Sequence, residues 1–120
     1  MERRTLGQWG EDLACRALRR RGDRIIERNW RCHRGEIDIV AHGTDGWVFV
    51  EVKTRHSEQA GLADQALTPQ KLNRVTELAQ IYLGTHDLAD VNWRIDLVAI
   101  ELDRRGVLRR MNIVPCLTLE

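Results

Sequence analysis

The stretch that decides the fold is GEIDIVAHGTDGWVFVEVKTR, residues 35–55, which predicts two β-strands joined by a tight turn. Apolar and β-branched residues alternate with other residues along both halves, at positions 37, 39 and 41 and again at 48, 50 and 52. A period of two with β-branched residues is the signal of a strand, and Asp45-Gly46 is a strong signal of a hairpin. We therefore expect a β-hairpin here.

A two-residue loop at Asp45-Gly46 also predicts which residues face each other. Asp38 then lies opposite Lys53, and Val40 lies opposite Glu51. Opposed residues point to the same side of a sheet, and residues two apart share a face, so Asp38, Glu51 and Lys53 converge on one face. A slip of one residue, as in a three-residue loop without a bulge, would put Asp38 on the other face.

These three side chains have the chemistry of a metal-dependent phosphodiesterase. Mg²⁺ prefers oxygen ligands and is often held by one or two carboxylates, so Asp38 and Glu51, with the Val52 carbonyl, are candidate ligands of Mg²⁺ or Mn²⁺. Lys53 could stabilise negative charge in the transition state. The alternative is an ordinary cross-strand pair of acid and lysine on a solvated strand. Phe49 shares the face of Glu51 and Lys53, which predicts a central strand covered on both faces. Charged side chains on such a strand favour a functional role over a solvated surface pair.

Composition limits the class of protein. At 120 residues we expect one domain spanning residues 1–120 with a single core. Charged residues make up 31% and apolar residues 42%, which excludes a disordered chain. There is no apolar run long enough for a membrane span and no apolar segment of a signal peptide. Three scattered cysteines suit a reducing cytoplasm, where we expect the protein to be.

The remaining elements follow from capping and periodicity. Thr5 predicts the start of a helix that runs to about Arg20 and ends at Gly22, and residues 24–31 predict a strand. Thr68-Pro69 predicts the start of a second helix that ends at Gly84. Residues 93–102 and 107–114 predict two more strands, and Asp96 is an anomaly that would hydrogen-bond within the sheet or pair with an arginine. The segment from His56 to Thr68 predicts a loop at the mouth of the site. The predicted fold is α/β, in the order αβββαββ, with a mixed central β-sheet flanked by helices.

The net charge is only +1, but it is unevenly distributed. Residues 1–34 contain ten arginines against five acids, and such a local excess could contact phosphates. The alternative for Arg19, Arg20 and Arg21 is a solvated helix end, where the helix dipole favours cations.

The paired motifs Gly35-Glu36-Ile37-Asp38 and Glu51-Val52-Lys53 resemble those of the YraN family of small bacterial proteins. That family is similar in turn to archaeal Holliday junction resolvases and to the PD-(D/E)xK nuclease superfamily. The resemblance also includes residues 7–11, Arg28-Asn29, Lys71 and residues 94–96. It implies a restriction-endonuclease-like fold in which Asp38, Glu51 and Lys53 match the acid and Glu-x-Lys positions and Glu11 matches an acid of the first helix. Ile37 stands where the superfamily's proline would be.

These observations predict a nuclease that hydrolyses DNA phosphodiesters, selective for structures such as branched DNA. The candidate catalytic residues are Asp38, Glu51, Lys53 and Glu11. The candidate nucleic-acid-binding residues are Lys71, Arg34, Arg55 and Arg28. The main rival is a non-catalytic nucleic-acid-binding or scaffold protein that retains the fold, and a third reading is a hydrolase of another phosphate ester. A homodimer is expected if both strands of a junction are cut.

Overall fold

The computed structural model describes residues 5–56 and 67–119, which form two helices and five strands. The order αβββαββ predicted from the sequence is confirmed. The elements are α1 (Leu6–Arg20), β1 (Arg24–Cys32), β2 (Gly35–Gly43), β3 (Gly46–His56), α2 (Pro69–Thr85), β4 (Trp93–Leu102) and β5 (Leu108–Leu119). Most of the predicted loop from His56 to Thr68 lies outside the described residues.

The five strands form one mixed sheet in the order β1-β2-β3-β4-β5. Neighbouring strands are antiparallel except β3 and β4, which are parallel because α2 connects them. The prediction of a mixed central sheet is therefore confirmed, and β3, which carries Glu51 and Lys53, is its middle strand.

The two helices cover opposite faces of the sheet, as alternation along β3 requires. Val48 and Val50 pack with α1 through Ala14, Cys15 and Leu18. Phe49, between them in sequence, packs with α2 in a second buried cluster that contains Val75, Leu78, Ala79 and Tyr82. Neither helix, within the described part of the chain, is long and apolar enough to cross a membrane.

The predicted hairpin register is wrong by two residues. Gly43 pairs with Gly46, so the loop consists of Thr44 and Asp45. Gly46 follows the turn with φ +120°, and a Cβ there would lie 2.4 Å from the Asn92 carbonyl oxygen, so this position requires glycine. A shift of two residues keeps the side chains of the paired residues 39–43 and 46–50 on their predicted faces, because the strand repeat is two. Ile37, predicted on the face of Ile39, lies on the opposite face.

The predicted ends of the elements need small corrections. Thr5 caps α1 as expected, in a capping box with Gln8. Gly84 was expected to end α2, but the helix continues to Thr85 because a glycine within a helix lowers its stability without preventing its hydrogen bonds. Strand β5 runs to Leu119, five residues further than predicted, because it continues to pair with β4 as far as Trp93.

Asp96 connects α1 to the sheet. Its carboxylate is fully buried on β4 and accepts hydrogen bonds from Arg21 at 3.0 Å and from Arg94 at 3.3 Å. Arg21, the C-cap of α1, also donates to Asp23. The prediction that Asp96 pairs with an arginine is confirmed, and the pairing fixes the C-terminal end of α1 against β4.

Candidate active site

The site begins at a break in the alternation of β1 and β2. Arg28 and Asn29 are consecutive, yet both side chains reach Glu11 of α1, whereas Trp30 packs edge-on against Tyr82 of α2. Asn29 has φ +55°, a left-handed conformation that asparagine tolerates better than most residues. The conformation of Asn29 therefore reverses the strand face at this point.

The partner strand β2 changes face at the same level. Ile39 packs in the cluster on the α1 face and Ile37 packs in the cluster on the α2 face, with Asp38 between them. The β2–β3 ladder ends at the pair of Ile39 and Val50. Beyond it, the Asp38 Oδ2 atom accepts the Val52 N–H at 2.8 Å. The Asp38 carboxylate thus replaces a backbone acceptor where the two strands separate.

The environment of Asp38 disfavours its ionised form. Burial, and then the negative charge of Glu51, raise the pKa of Asp38 to about 7 from its usual value of 3.8. The hydrogen bond from Val52 opposes this shift, and the charges of Glu11 and Glu36 add to it. The structure therefore brings the carboxylates of Glu51, Glu11 and Glu36 within electrostatic reach of Asp38.

Glu51 lies on the α2 side of β3, next to the start of α2. Its carboxylate is 15% exposed and forms an ion pair with the Lys71 ammonium at 3.1 Å. Lys53 follows two residues later on the same face, in register with Ala99 of β4. A cavity of about 100 Å³ adjoins these side chains and is lined by Glu51, Val52, Lys53, Leu67, Thr68 and Lys71.

Glu11 reaches the site because α1 crosses the sheet closely. The preceding residue, Gly10, is buried so tightly that a Cβ there would lie 2.1 Å from the Thr54 Oγ1 of β3. Glu11 accepts a hydrogen bond from Asn29 at 3.1 Å and pairs with Arg28 at 3.4 Å. Its placement beside Asp38 depends on a glycine in α1 and on two residues of β1.

The four predicted nucleic-acid-binding residues have different surroundings. Arg28 pairs with Glu11 and with Asp12, the latter at 2.8 Å, and its buried Nε atom has no hydrogen-bond partner within the described part of the chain. Arg34 forms an ion pair with Glu77, and Lys71 pairs with Glu51. Arg55 lies at the end of β3, in register with Glu101. Of these four, Arg28 and Lys71 contact acids of the candidate site.

The donor atoms present suit a hard divalent cation. Within residues 5–56 and 67–119, no group of three or more histidine, cysteine, aspartate or glutamate side chains is arranged to hold a metal ion. Two carboxylates in mutual repulsion remain, those of Asp38 and Glu51. Such a pair fits Mg²⁺ or Mn²⁺, which need few protein ligands and keep several waters, and does not fit the closed set of four ligands of structural zinc.

Comparison with known proteins identifies the family. A sequence model of a protein family, described as uncharacterised protein family UPF0102, matches residues 10–100. The chain belongs to the UPF0102 family. A UPF0102 protein of Roseiflexus castenholzii is 49% identical over 106 residues, which cover 87% of this chain and 86% of the relative. One of Moorella thermoacetica is 46% identical over 114 residues and covers 95% of both chains. The resemblance to the YraN family is thereby confirmed at the level of the family.

Among solved structures, the UPF0102 chain is similar to that of Pyrococcus furiosus SfsA in complex with Ca²⁺. Sequence identity is 14%, and the match covers 93% of this chain and 61% of that chain, with a TM-score of 0.33. A TM-score of this size does not establish a shared fold.

Two contacts of the UPF0102 site were not anticipated from the sequence. Asn29 is part of the family resemblance, and its left-handed backbone, which asparagine tolerates, brings its amide to Glu11. The ion pair between Lys71 and Glu51 joins residues twenty positions apart through a helix, and no local pattern predicts it.

Proposed function

We propose that this UPF0102 protein hydrolyses phosphodiester bonds of DNA with a bound Mg²⁺ or Mn²⁺. The observation that supports this most is Asp38, a largely buried carboxyl whose pKa is raised to about 7 by burial and by Glu51, at a point where two strands separate. Accumulated negative charge of this kind is typical of functional sites. A bound divalent cation at that point would offset the repulsion.

The proposed roles follow from position. Asp38 and Glu51, with the Val52 carbonyl, would hold the cation, and Glu11 would add negative charge from α1. When bound, the cation supplies polarisation of a phosphoryl oxygen and a lowered pKa for a bound water. Lys53, on the face of Glu51, would stabilise charge that develops on the phosphoryl group. A cavity of about 100 Å³ lies beside Glu51 and Lys53, next to these groups.

A second candidate function is nucleic-acid binding without catalysis. The observation that favours it is the ion pair of Lys71 with Glu51, which provides one of the two acids with a counter-ion from the protein itself. In that case Lys53 and Asp38 would be structural residues of the sheet.

Cleavage assays separate the two candidates. Purified protein is incubated with Mn²⁺ and labelled single-stranded, duplex, flap and four-way-junction DNA. We expect the wild type to cut at least one of them, Asp38→Asn to abolish cutting, and Lys53→Ala to lower the rate about 10²–10³-fold with little change in DNA affinity. Asp45→Asn removes a carboxylate that is 85% exposed in the β2–β3 turn and should cut normally. If the wild type binds these DNAs and cuts none, the catalytic proposal fails and the second candidate stands.

The proposal also concerns the cellular location and the oligomeric state of the protein. Cutting both strands of a junction requires two sites, so we propose that the protein acts in the cytoplasm as a homodimer on such DNA, with an isologous interface. Sedimentation of the complex with a four-way junction should give two chains per junction. Concerted cutting of both strands by a single bound chain would contradict the dimer.

A further inference from the structure

The turn between β4 and β5 carries a second basic surface, which we call the basic hairpin (residues 101–110). It contains four exposed arginines, at positions 104, 105, 109 and 110, against the two acids Glu101 and Asp103. Val107, at its tip, is 57% exposed, and Leu108 beside it is 39% exposed. Some proteins that bind the minor groove of DNA present exposed apolar side chains beside basic ones.

The basic hairpin is held in one conformation by its own hydrogen bonds. The Asp103 carboxylate accepts the N–H groups of Arg105 at 2.8 Å and Val107 at 2.9 Å, so this acid is engaged by the turn. The Asp103 N–H donates to the Val107 carbonyl, and Gly106 supplies φ +83°. His56, the last residue of β3, donates from Nδ1 to the Asp103 carbonyl at 3.1 Å. The arginines are therefore presented from a fixed support attached to the strand of Glu51 and Lys53.

The register of the sheet connects this surface to the candidate site. Arg55 is in register with Glu101, which in turn pairs with Arg110 and forms an ion pair with it at 3.5 Å. Arg110 and Arg55 are thus on the face of Lys53, with backbones about 10 Å apart across two strand spacings. On this face Lys53, Arg55 and Arg110 lie between the candidate site and the tip of the basic hairpin, with the single acid Glu101 between Arg55 and Arg110.

We infer that the basic hairpin is a docking surface for the phosphate backbone of the nucleic acid whose cleavage is proposed above. Duplex DNA carries one negative charge per about 1.7 Å of its axis, so a backbone that passes Lys53 would continue across β4 and β5 onto these arginines. The inference rests on the proposed function for the position of the DNA, but it concerns binding and is measured without cleavage.

The test compares two variants that lose the same charge. R105Q/R109Q/R110Q removes three arginines of the basic hairpin. R19Q/R20Q/R24Q removes three exposed arginines at the opposite end of the sheet, where Arg24 pairs with His42. Affinity for fluorescein-labelled four-way-junction and duplex DNA is measured by anisotropy in EDTA, between about 50 and 200 mM KCl. Circular dichroism and the Tm establish that both variants are folded, and R105K/R109K/R110K tests whether charge alone restores binding.

We expect the hairpin variant to reduce the slope of log K against log[salt] by about 2–3, at about 0.9 per lost phosphate contact, and the lysine variant to restore it. The control should change the slope by less than about 1. Equal losses in the two variants, or an unchanged slope in the hairpin variant, would overturn the inference. So would a hairpin variant that alters only the sedimentation of the free protein, since the hairpin would then be a protein contact.

Failure of this inference and failure of the proposed function give different results. If the wild type cuts DNA and the hairpin variant binds it normally, the basic hairpin is not the docking surface and the hydrolytic function stands. If binding depends on the hairpin and the wild type cuts none of the DNAs, the docking surface stands and the hydrolytic function fails.

Discussion

At the scale of single residues, Asp38 is the group whose protonation the fold changes most clearly. Burial and Glu51 raise its pKa to about 7, whereas an unfolded chain has an aspartate pKa of about 3.9. Between these values the unfolded chain loses the proton while the folded chain keeps it. The stability of the metal-free protein therefore falls as the pH rises through this range, and the loss is complete above about pH 7.

Asp38→Asn removes this titration and keeps an oxygen that can accept the Val52 N–H. We expect the metal-free variant to exceed the wild type in free energy of unfolding by about 1–2 kcal/mol above pH 7, after allowance for solvent screening. The gain should disappear below about pH 3, where both states of the wild type are protonated. Urea unfolding in EDTA at several pH values measures it, and a gain independent of pH would contradict the account of Asp38.

Lys71 would compete with the proposed metal for Glu51, because its ammonium lies 3.1 Å from the carboxylate. We expect Lys71→Met to raise the affinity for Mn²⁺ about two- to fivefold, since an exposed ion pair contributes up to about 1 kcal/mol. Arg74→Met is the matched control, because Arg74 lies one helical turn further and donates to the Arg34 carbonyl. Equal Mn²⁺ affinities in wild type and Lys71→Met would show that the ion pair does not limit metal binding.

At the scale of elements, two glycines of α1 differ in what an added methyl group would meet. A Cβ at Gly10 would lie 2.1 Å from Thr54 Oγ1, whereas at Gly7 its nearest neighbour would be 3.9 Å away. We expect Gly7→Ala to stabilise the protein by about 0.5–1 kcal/mol through helix propensity. Gly10→Ala should destabilise it by about 1–3 kcal/mol, because α1 must move off β3. Urea unfolding of both variants decides this, and a stabilised Gly10→Ala would contradict the close crossing that positions Glu11.

The ion pairs of buried Asp96 with Arg21 and Arg94, which hold α1 against β4, give a second prediction at this scale. Asp96→Asn leaves two arginines without their buried partner, and we expect a loss of about 2–4 kcal/mol in the free energy of unfolding. Asp45→Asn is the control, because Asp45 approaches the same Arg94 only at 4.0 Å and is 85% exposed, so its loss should be below about 0.5 kcal/mol. Similar losses in the two variants would show that burial of Asp96 is unimportant.

The elements themselves were predictable because their signals are local. Alternation in residues 35–55, the cap at Thr5 and Thr68-Pro69 each identify an element from a few neighbouring residues. The hairpin register was not predictable, because Thr44-Asp45 and Asp45-Gly46 are both plausible two-residue loops. The contact of Gly46 with Asn92, which requires glycine after the turn, is distant in sequence. The crossing of α1 at Gly10 and the pairing of Lys71 with Glu51 are also long-range contacts, which a single sequence does not reveal.

At the scale of the whole molecule, the net charge of +1 is the sum of spatially separated clusters of acids and arginines. Acids accumulate where β2 and β3 part, around Asp38, Glu51 and Glu11. Arginines accumulate on the basic hairpin at the same end of β3. This arrangement suits a cation at the point of strand separation and a polyanion across the neighbouring strands.

The central claim is that Asp38 and Glu51 form a divalent-cation site. Isothermal titration calorimetry of Mn²⁺ binding to the wild type and to Asp38→Asn tests it most directly. The wild type should bind one Mn²⁺ per chain, with an affinity that rises as the pH approaches about 7 and with release of a proton below it, because the cation requires the ionised carboxylate. Asp38→Asn should give no such binding. Equal affinity in the two proteins, or no binding by the wild type above pH 7, would contradict the claim.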